Sequence, residues 1–204
     1  METIYTIPLN EAFDRQDGDC PFCTLEQKLE ANTLEYVLGP AMMEPDVRQT
    51  LNKSGFCAEH WTKLYAQKNK LALSLILETR SLSLLQDIEL LNDKDCFICK
   101  RVRTERSRYM SNATHMWEKV PDFRKKLEGN RSMCTNHSAE LLRTAKAKLR
   151  KKDYAVFKAA IASGFEERLK TQAANARAFA DSFDYRSNGE KVDGGFMENA
   201  GGLI

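Results

Sequence analysis

The strongest constraint on this chain is a ligand pattern written twice. Cys20-Pro-Phe-Cys23 is followed by Cys57-Ala-Glu-His60, and Cys96-Phe-Ile-Cys99 by Cys134-Thr-Asn-His137. These four pieces hold all six cysteines and two of the three histidines, leaving only His115 outside. Cys20 and Cys96 lie 76 positions apart, His60 and His137 lie 77 apart, and Glu44-Pro45-Asp46-Val47-Arg48 recurs 76 positions on as Val120-Pro121-Asp122-Phe123-Arg124. A constant offset of this kind marks an internal duplication. A CxxC turn lets two thiolates converge on one ion, and Cys and His at i and i+3 on a first helical turn point the same way. Three sulfurs and one imidazole complete a tetrahedral zinc shell with no position left for water, the arrangement of a structural site. The expected ligands are therefore Cys20, Cys23, Cys57, His60, Cys96, Cys99, Cys134 and His137, holding two zinc ions per chain. Spacing alone leaves iron–sulfur ligation open. It also leaves open whether Cys20/Cys23 close with Cys57/His60 in the same copy or with Cys134/His137 in the other.

Other uses of the cysteines fit less well. A framework of three disulfides does not need a histidine three residues after the last cysteine of each copy. Cys20-Pro-Phe-Cys23 looks like a glutaredoxin turn, but such turns follow a buried strand. Here Asp14-Arg15-Gln16-Asp17-Gly18-Asp19 precedes, and Cys96-Phe-Ile-Cys99 lacks the proline. Haem attachment requires histidine directly after the second cysteine, where Thr24 and Lys100 stand.

The net charge of +2 conceals an asymmetry: residues 1–95 carry 9 Lys+Arg against 16 Asp+Glu (net −7), and residues 96–204 carry 22 against 13 (net +9). Two basic stretches stand out in the second copy, Lys100, Arg101, Arg103, Arg106 and Arg108, then Arg143, Lys146, Lys148, Arg150, Lys151 and Lys152. Either is a nucleic-acid-binding candidate or a solvated face. The richest apolar run, Leu71 to Leu77, is cut by Glu78 and Arg80, so no membrane span is expected. The first residues show neither a basic nor an apolar signal region, which points to a reducing cytoplasm.

Along the chain, Ile4-Tyr5-Thr6-Ile7-Pro8 reads as extended, Asn10 to Phe13 as a helical turn, and the acidic loop after it delivers Cys20. Leu25, Leu29, Leu34, Val37 and Leu38 give an amphipathic helix that Gly39-Pro40 ends. Pro45 opens a short helix that Ser54-Gly55 stops. The leucine-rich stretch from Leu71 to Leu91 reads as a central helix buried on most sides. The second copy repeats the plan through Pro121 and Gly129-Asn130, then continues in an alanine-rich helix through Ala173, Ala176, Phe179 and Phe183. The expected fold is all-α: a duplicated helical unit, each copy clipped by a CxxC/CxxH zinc site, packed as one helical bundle. Its expected parts are an arm at 1–19, repeats at 20–95 and 96–185, and a flexible tail at 186–204.

The residues Cys20-Pro-Phe-Cys23, Leu34-Glu35-Tyr36, Ala41 to Arg48 and Gly55-Phe56-Cys57-Ala58-Glu59-His60, with the second CxxC and CxxH, resemble an uncharacterised bacterial domain family seen mostly in anaerobic Gram-positive bacteria. Some such sequences are labelled substrate-binding proteins of ABC transporters. The resemblance covers most of residues 1–170 and implies a duplicated CxxC/CxxH module. It supplies no function.

Three functional classes are weighed. One is a non-enzymatic zinc-stabilised structural or adaptor-like protein with a protein partner. Another is nucleic-acid binding through the basic stretches. The last is an enzyme, either a thiol redox catalyst using Cys20 and Cys23 or a metal hydrolase with Glu59 as base; Glu59 is matched by Asn136, so any such activity belongs to one site. His115 reads as a surface or loop residue. Met42-Met43 reads as core packing or an adaptable soft surface.

Overall fold

The computed structural model describes residues 5–15, 18–92 and 95–183. The expected tail at 186–204 lies outside them. Nine α-helices make up the described residues: α1 (Thr6–Asp14), α2 (Pro21–Val37), α3 (Pro45–Ser54), α4 (Ala58–Ala66), α5 (Lys70–Gln86), α6 (Phe97–Lys119), α7 (Pro121–Gly129), α8 (Thr135–Lys148) and α9 (Lys151–Asp181). Short 3-10 turns cover Pro40–Met43 and Ile88–Asn92, and no strand occurs among the described residues. The all-α expectation holds.

Local chemistry explains the boundaries. Pro45 and Pro121 sit in the first turns of α3 and α7, where a missing N–H costs nothing. Each also forces the residue before it, Glu44 or Val120, into extended backbone. Gly55 stops α3 at φ +65°, with its N–H bonded to Leu51 O at 2.8 Å. Its open Cα side leaves room for Arg80, which donates to the carbonyls of Asn52, Lys53 and Leu90 and so satisfies the end of α3. Asn130 turns the chain toward Cys134 by accepting from the N–H groups of Ser132 (3.1 Å) and Met133 (3.0 Å).

The chain divides into two compact units nested in sequence. The inner unit is Glu26–Ser107, and the outer unit is Met1–Leu25 with Arg108–Ile204. Each copy of the duplication therefore contributes to both units. The inner core gathers Leu34, Val37, Leu38, Ala41, Met42, Leu51, Leu64, Ala72, Ile76, Cys96 and Ile98. In the outer unit Phe13 meets Phe22 and Phe123 edge-on at 5.6 and 5.1 Å, and Trp117 meets Phe157 at 4.9 Å.

Two local expectations are corrected. The supposed extended start is helical from Thr6, and Pro8 is accommodated because the first helical N–H groups have no intrahelical partner anyway; Ile4 lies outside the described residues. The leucine-rich helix is not central. Of α5 only Ala72 and Ile76 are buried, while Leu71, Leu77, Leu82 and Leu85 are 52–83% exposed. Its apolar residues fall on all sides of the helix, and the short helices α3 and α4 that pack on it cover one side.

Candidate metal centres

Each of the four ligand pairs occupies the same place in a helix. Cys20, Cys57, Cys96 and Cys134 each stand just before a helix, and their carbonyls accept its first backbone bonds, from Thr24 (3.1 Å), Trp61 (2.9 Å), Lys100 (2.9 Å) and Ser138 (3.0 Å). Cys23, His60, Cys99 and His137 are then the third helical residues of α2, α4, α6 and α8. A residue in the cap position and the third helical residue project toward the same side of the first turn. Spacing alone thus aims both side chains at one point and places both at a positive helix end.

Tertiary structure decides the pairing, and it runs across the copies. Cys20, Cys23, Cys134 and His137 form one group, Cys57, His60, Cys96 and Cys99 the other, and the donor atoms of each lie within 4.8 Å of one another. The expectation that each CxxC is clipped to the CxxH of its own copy gives way to the crossed alternative. The first group lies wholly in the outer unit and the second wholly in the inner unit. In the inner unit one bond sets the approach: Phe97 N–H donates to Gly55 O at 3.1 Å, delivering Cys96 and Cys99 beside Cys57. The matching position in the first copy is Pro21, which has no N–H to donate.

The distances can be compared with a bound ion. Metal–sulfur bonds of about 2.3 Å and a metal–nitrogen bond of about 2.0–2.1 Å give a tetrahedron with edges of about 3.8 Å between sulfurs and about 3.5 Å between sulfur and nitrogen. In the outer group Cys23 Sγ is 3.7 Å from Cys134 Sγ, and the sulfurs of Cys20, Cys23 and Cys134 are 3.6, 3.4 and 3.1 Å from His137 Nδ1. In the inner group Cys57 Sγ is 3.9 Å from Cys99 Sγ, and Cys57, Cys96 and Cys99 are 3.1, 3.4 and 3.3 Å from His60 Nδ1. All six cysteines are free thiols, and these sulfur separations are far beyond a disulfide bond. Both clusters can hold a metal ion.

Electrostatics favours the same conclusion. A hydrogen bond with Cys134 and burial raise Cys20, while bonds from Cys20 and His137 hold Cys134 well below the ordinary thiol range. Burial opposes ionisation of Cys57, but bonds from the His60 backbone and ring and from Cys96 and Cys99 outweigh it and bring it to about 7. Burial, then Cys96 and Cys57, push Cys99 up to about 12. Thiols packed this closely share protons until a cation replaces them. A divalent ion on three thiolates leaves a net charge of −1, which two helix N-termini of about +0.5 each offset.

Beyond the ligands, His60 Nε2 meets Glu30 Oε1 at 2.8 Å, and Lys63 Nζ bridges Glu30 (2.7 Å) and Glu59 (2.6 Å). The carboxylate fixes the ring so that Nδ1 faces the sulfurs. Glu30 supports this candidate centre from outside the CxxC and CxxH spacing. Its sequence signal is an inversion between copies: Glu30 and Lys63 correspond to Arg106 and Glu140 at offsets of 76 and 77. Glu59 is held below the usual carboxylate range by Lys63 and is committed to that ion pair. His115 is half-buried on α6 and belongs to neither cluster. Met42 packs in the inner core, whereas Met43 is 85% exposed.

The basic residues divide. Arg101 stacks over Tyr36 (4.7 Å), Arg103 lies 3.7 Å from Asp95, Arg106 pairs with Glu26 (2.7 Å) and Arg108 donates to Tyr5 Oη (3.0 Å), so these arginines have partners within the chain, whereas Lys100 is exposed. Arg143, Lys146, Lys148, Arg150, Lys151 and Lys152 are exposed around the turn from α8 to α9, and none makes an ion pair among the described residues. The two stretches fall in different units, except that Arg108 begins the outer one.

The sequence pattern described as "Family of unknown function (DUF6062)" matches the chain twice, over residues 1–94 and 87–194. The chain belongs to this family. Each DUF6062 copy carries one CxxC and one CxxH, and each cluster takes its CxxC from one copy and its CxxH from the other. No curated protein and no solved structure matches.

Proposed function

We propose that this protein is a non-enzymatic, zinc-stabilised interaction protein whose two closed Cys3His ions each fasten two helix N-termini. The observation that carries this reading is the pair of four-donor clusters with tetrahedral edge lengths. Four protein donors fill a zinc shell, and soft thiolates with one imidazole select zinc over harder cations. Donors this close suit a single ion; a polynuclear iron–sulfur cluster would place several iron atoms between its thiolates. Free thiols fit a reducing cytoplasm. No described helix is long and apolar enough to cross a membrane.

The test is metal content on anaerobically purified protein, by elemental analysis and native mass. Two zinc ions per chain, released by a chelator together with loss of helix, are expected. Iron, an absence of metal, or Cys20 and Cys23 cycling between dithiol and disulfide would refute the reading and restore redox chemistry.

A second reading, nucleic-acid binding, is favoured by the six exposed cations of the α8–α9 turn. Lys151 and Lys152 sit in the first turn of α9, where the helix dipole disfavours positive charge, so helix stability does not account for them. Binding to duplex or single-stranded DNA should weaken steeply between 50 and 200 mM salt. Affinity indifferent to salt, or to alanine at Lys148, Lys151 and Lys152, would dismiss it.

A further inference from the structure

The two copies treat the same arginine differently. Arg48 and Arg124 are each the fourth residue of a helix opened by proline, α3 and α7 respectively. In the second copy Arg124 is held from two sides. Its Nε donates to Glu128 Oε1 at 2.8 Å, its guanidinium carbon lies 4.3 Å from the centre of the Trp117 ring, and Trp117 Nε1 donates to the same carboxylate oxygen at 3.0 Å. In the first copy both partners are replaced: Asn52 stands at the place of Glu128 and Ala41 at that of Trp117, each 76 positions earlier. Asn52 meets the Thr79 hydroxyl at 2.9 Å, and Glu44, one turn before Arg48, accepts from Tyr36 Oη at 3.4 Å. The half-buried Arg48 side chain is left with no hydrogen bond, ion pair or ring contact among the described residues.

The space beside this guanidinium is open. Met42, Met43, Pro45, Arg48, Gln49 and Asn52 line a cleft of about 280 Å³, at the lower end of the range, about 300–1,000 Å³, in which small ligands bind. The cleft lies wholly in the inner unit, and no residue lining it is a ligand of either metal cluster. A partly desolvated charge with no partner carries a cost that a bound anion recovers. The second copy shows which anion suits the position. A guanidinium offers a planar fork that matches a carboxylate at two points and a face that stacks on an aromatic ring. Glu128 and Trp117 supply those two groups to Arg124, and they are the two groups that Arg48 lacks. Methionine thioethers also pack well on aromatic rings, and Met43 is 85% exposed beside the cleft's polar end. A bare phosphate would satisfy the fork but leave Met42, Met43 and Pro45 with nothing to cover.

We propose that this cleft binds a small aromatic carboxylic acid, with its carboxylate on Arg48 and its ring against Met42 and Met43. The test titrates indole-3-acetate, which carries both groups, into the full chain as purified, with isotope-labelled methionine methyls read by NMR. The Met42 and Met43 signals should shift saturably with a dissociation constant of about 0.1–1 mM, the strength a ligand of this size reaches in an open cleft. Indole-3-acetamide, which keeps the ring and loses the charge, should bind at least about tenfold more weakly. Arg48→Gln should weaken indole-3-acetate by a similar factor with metal content and helicity unchanged, and Arg48→Lys should recover only part of the loss, because an ammonium lacks the fork. Asn52→Glu, which gives Arg48 the partner that Arg124 has, should also cost about tenfold. No saturable shift at ten times the upper end of that range, or binding that Arg48→Gln leaves intact, overturns the proposal. Inorganic phosphate bound as tightly as indole-3-acetate overturns the ligand class. A tetrapeptide ending in tryptophan with its carboxylate free, bound at least tenfold more tightly than indole-3-acetate, overturns the free acid in favour of a peptide C-terminus.

Discussion

Crossed pairing of the ligands has a consequence that stoichiometry reads directly. Cys23 and Cys134, 3.7 Å apart, belong to one site, and Cys57, 3.9 Å from Cys99, to the other. Serine at Cys23 or at Cys134 should leave one zinc per chain, and the double variant Cys23→Ser/Cys134→Ser should still hold one, because both changes fall on the same ion. Cys23→Ser/Cys57→Ser should hold none. A structural zinc contributes about 10–16 kcal/mol of apparent binding free energy at pH 7. The inner unit, Glu26–Ser107, spans 82 residues, and chains of that size have a total margin of only about 4–12 kcal/mol. Cys57→Ser should therefore unfold α3, α4 and α5, which lie wholly in that unit, while the outer site stays loaded. Native mass spectrometry with far-ultraviolet circular dichroism measures both. If Cys23→Ser/Cys134→Ser lost both ions and Cys23→Ser/Cys57→Ser kept one, the ligands would pair within copies and this account would be wrong.

Glu30→Gln should weaken zinc at the inner site by about 10–100-fold and leave the outer site unchanged, because the carboxylate meets His60 and Lys63 and no residue of the outer cluster; chelator competition resolves the two sites, and equal weakening of both would refute the role. Gly55→Ala meets φ +65° with ψ −156°, a region open essentially to glycine alone, and a guanidinium atom of Arg80 at 3.3 Å, so it should cost about 1–3 kcal/mol from strain alone and lower the melting temperature of the inner unit by several degrees. Acid should release the metal. Ligation holds the thiols deprotonated far below their unfolded pKa of about 8.5, so this stability is present above that value and is lost as pH falls. Zinc release followed by a metallochromic dye should be steeper in pH than a single proton allows, and a one-proton profile would contradict three thiolates per site.

Much of this molecule was legible from local chemistry. The helices bounded by Pro45, Gly55, Pro121 and Asn130 follow from backbone constraints that act over four or five residues. The convergence within each of the four Cys/Cys or Cys/His pairs follows because a cap residue and the third helical residue aim at the same point, whatever else the chain does. Glu30 escaped notice because its bond to His60 spans 30 positions and the other copy has arginine there. The leucines of α5 misled for a related reason: hydrophobicity shows what gains from leaving water, but burial needs a neighbour, and α3 and α4 cover one side only. Partner choice was beyond the sequence. Both CxxC turns and both CxxH turns are chemically interchangeable, so within-copy and crossed tetrahedra satisfy the same ligand chemistry. Only long-range contacts inside each unit, such as Phe97 N–H to Gly55 O in the inner one, determined which pairs meet.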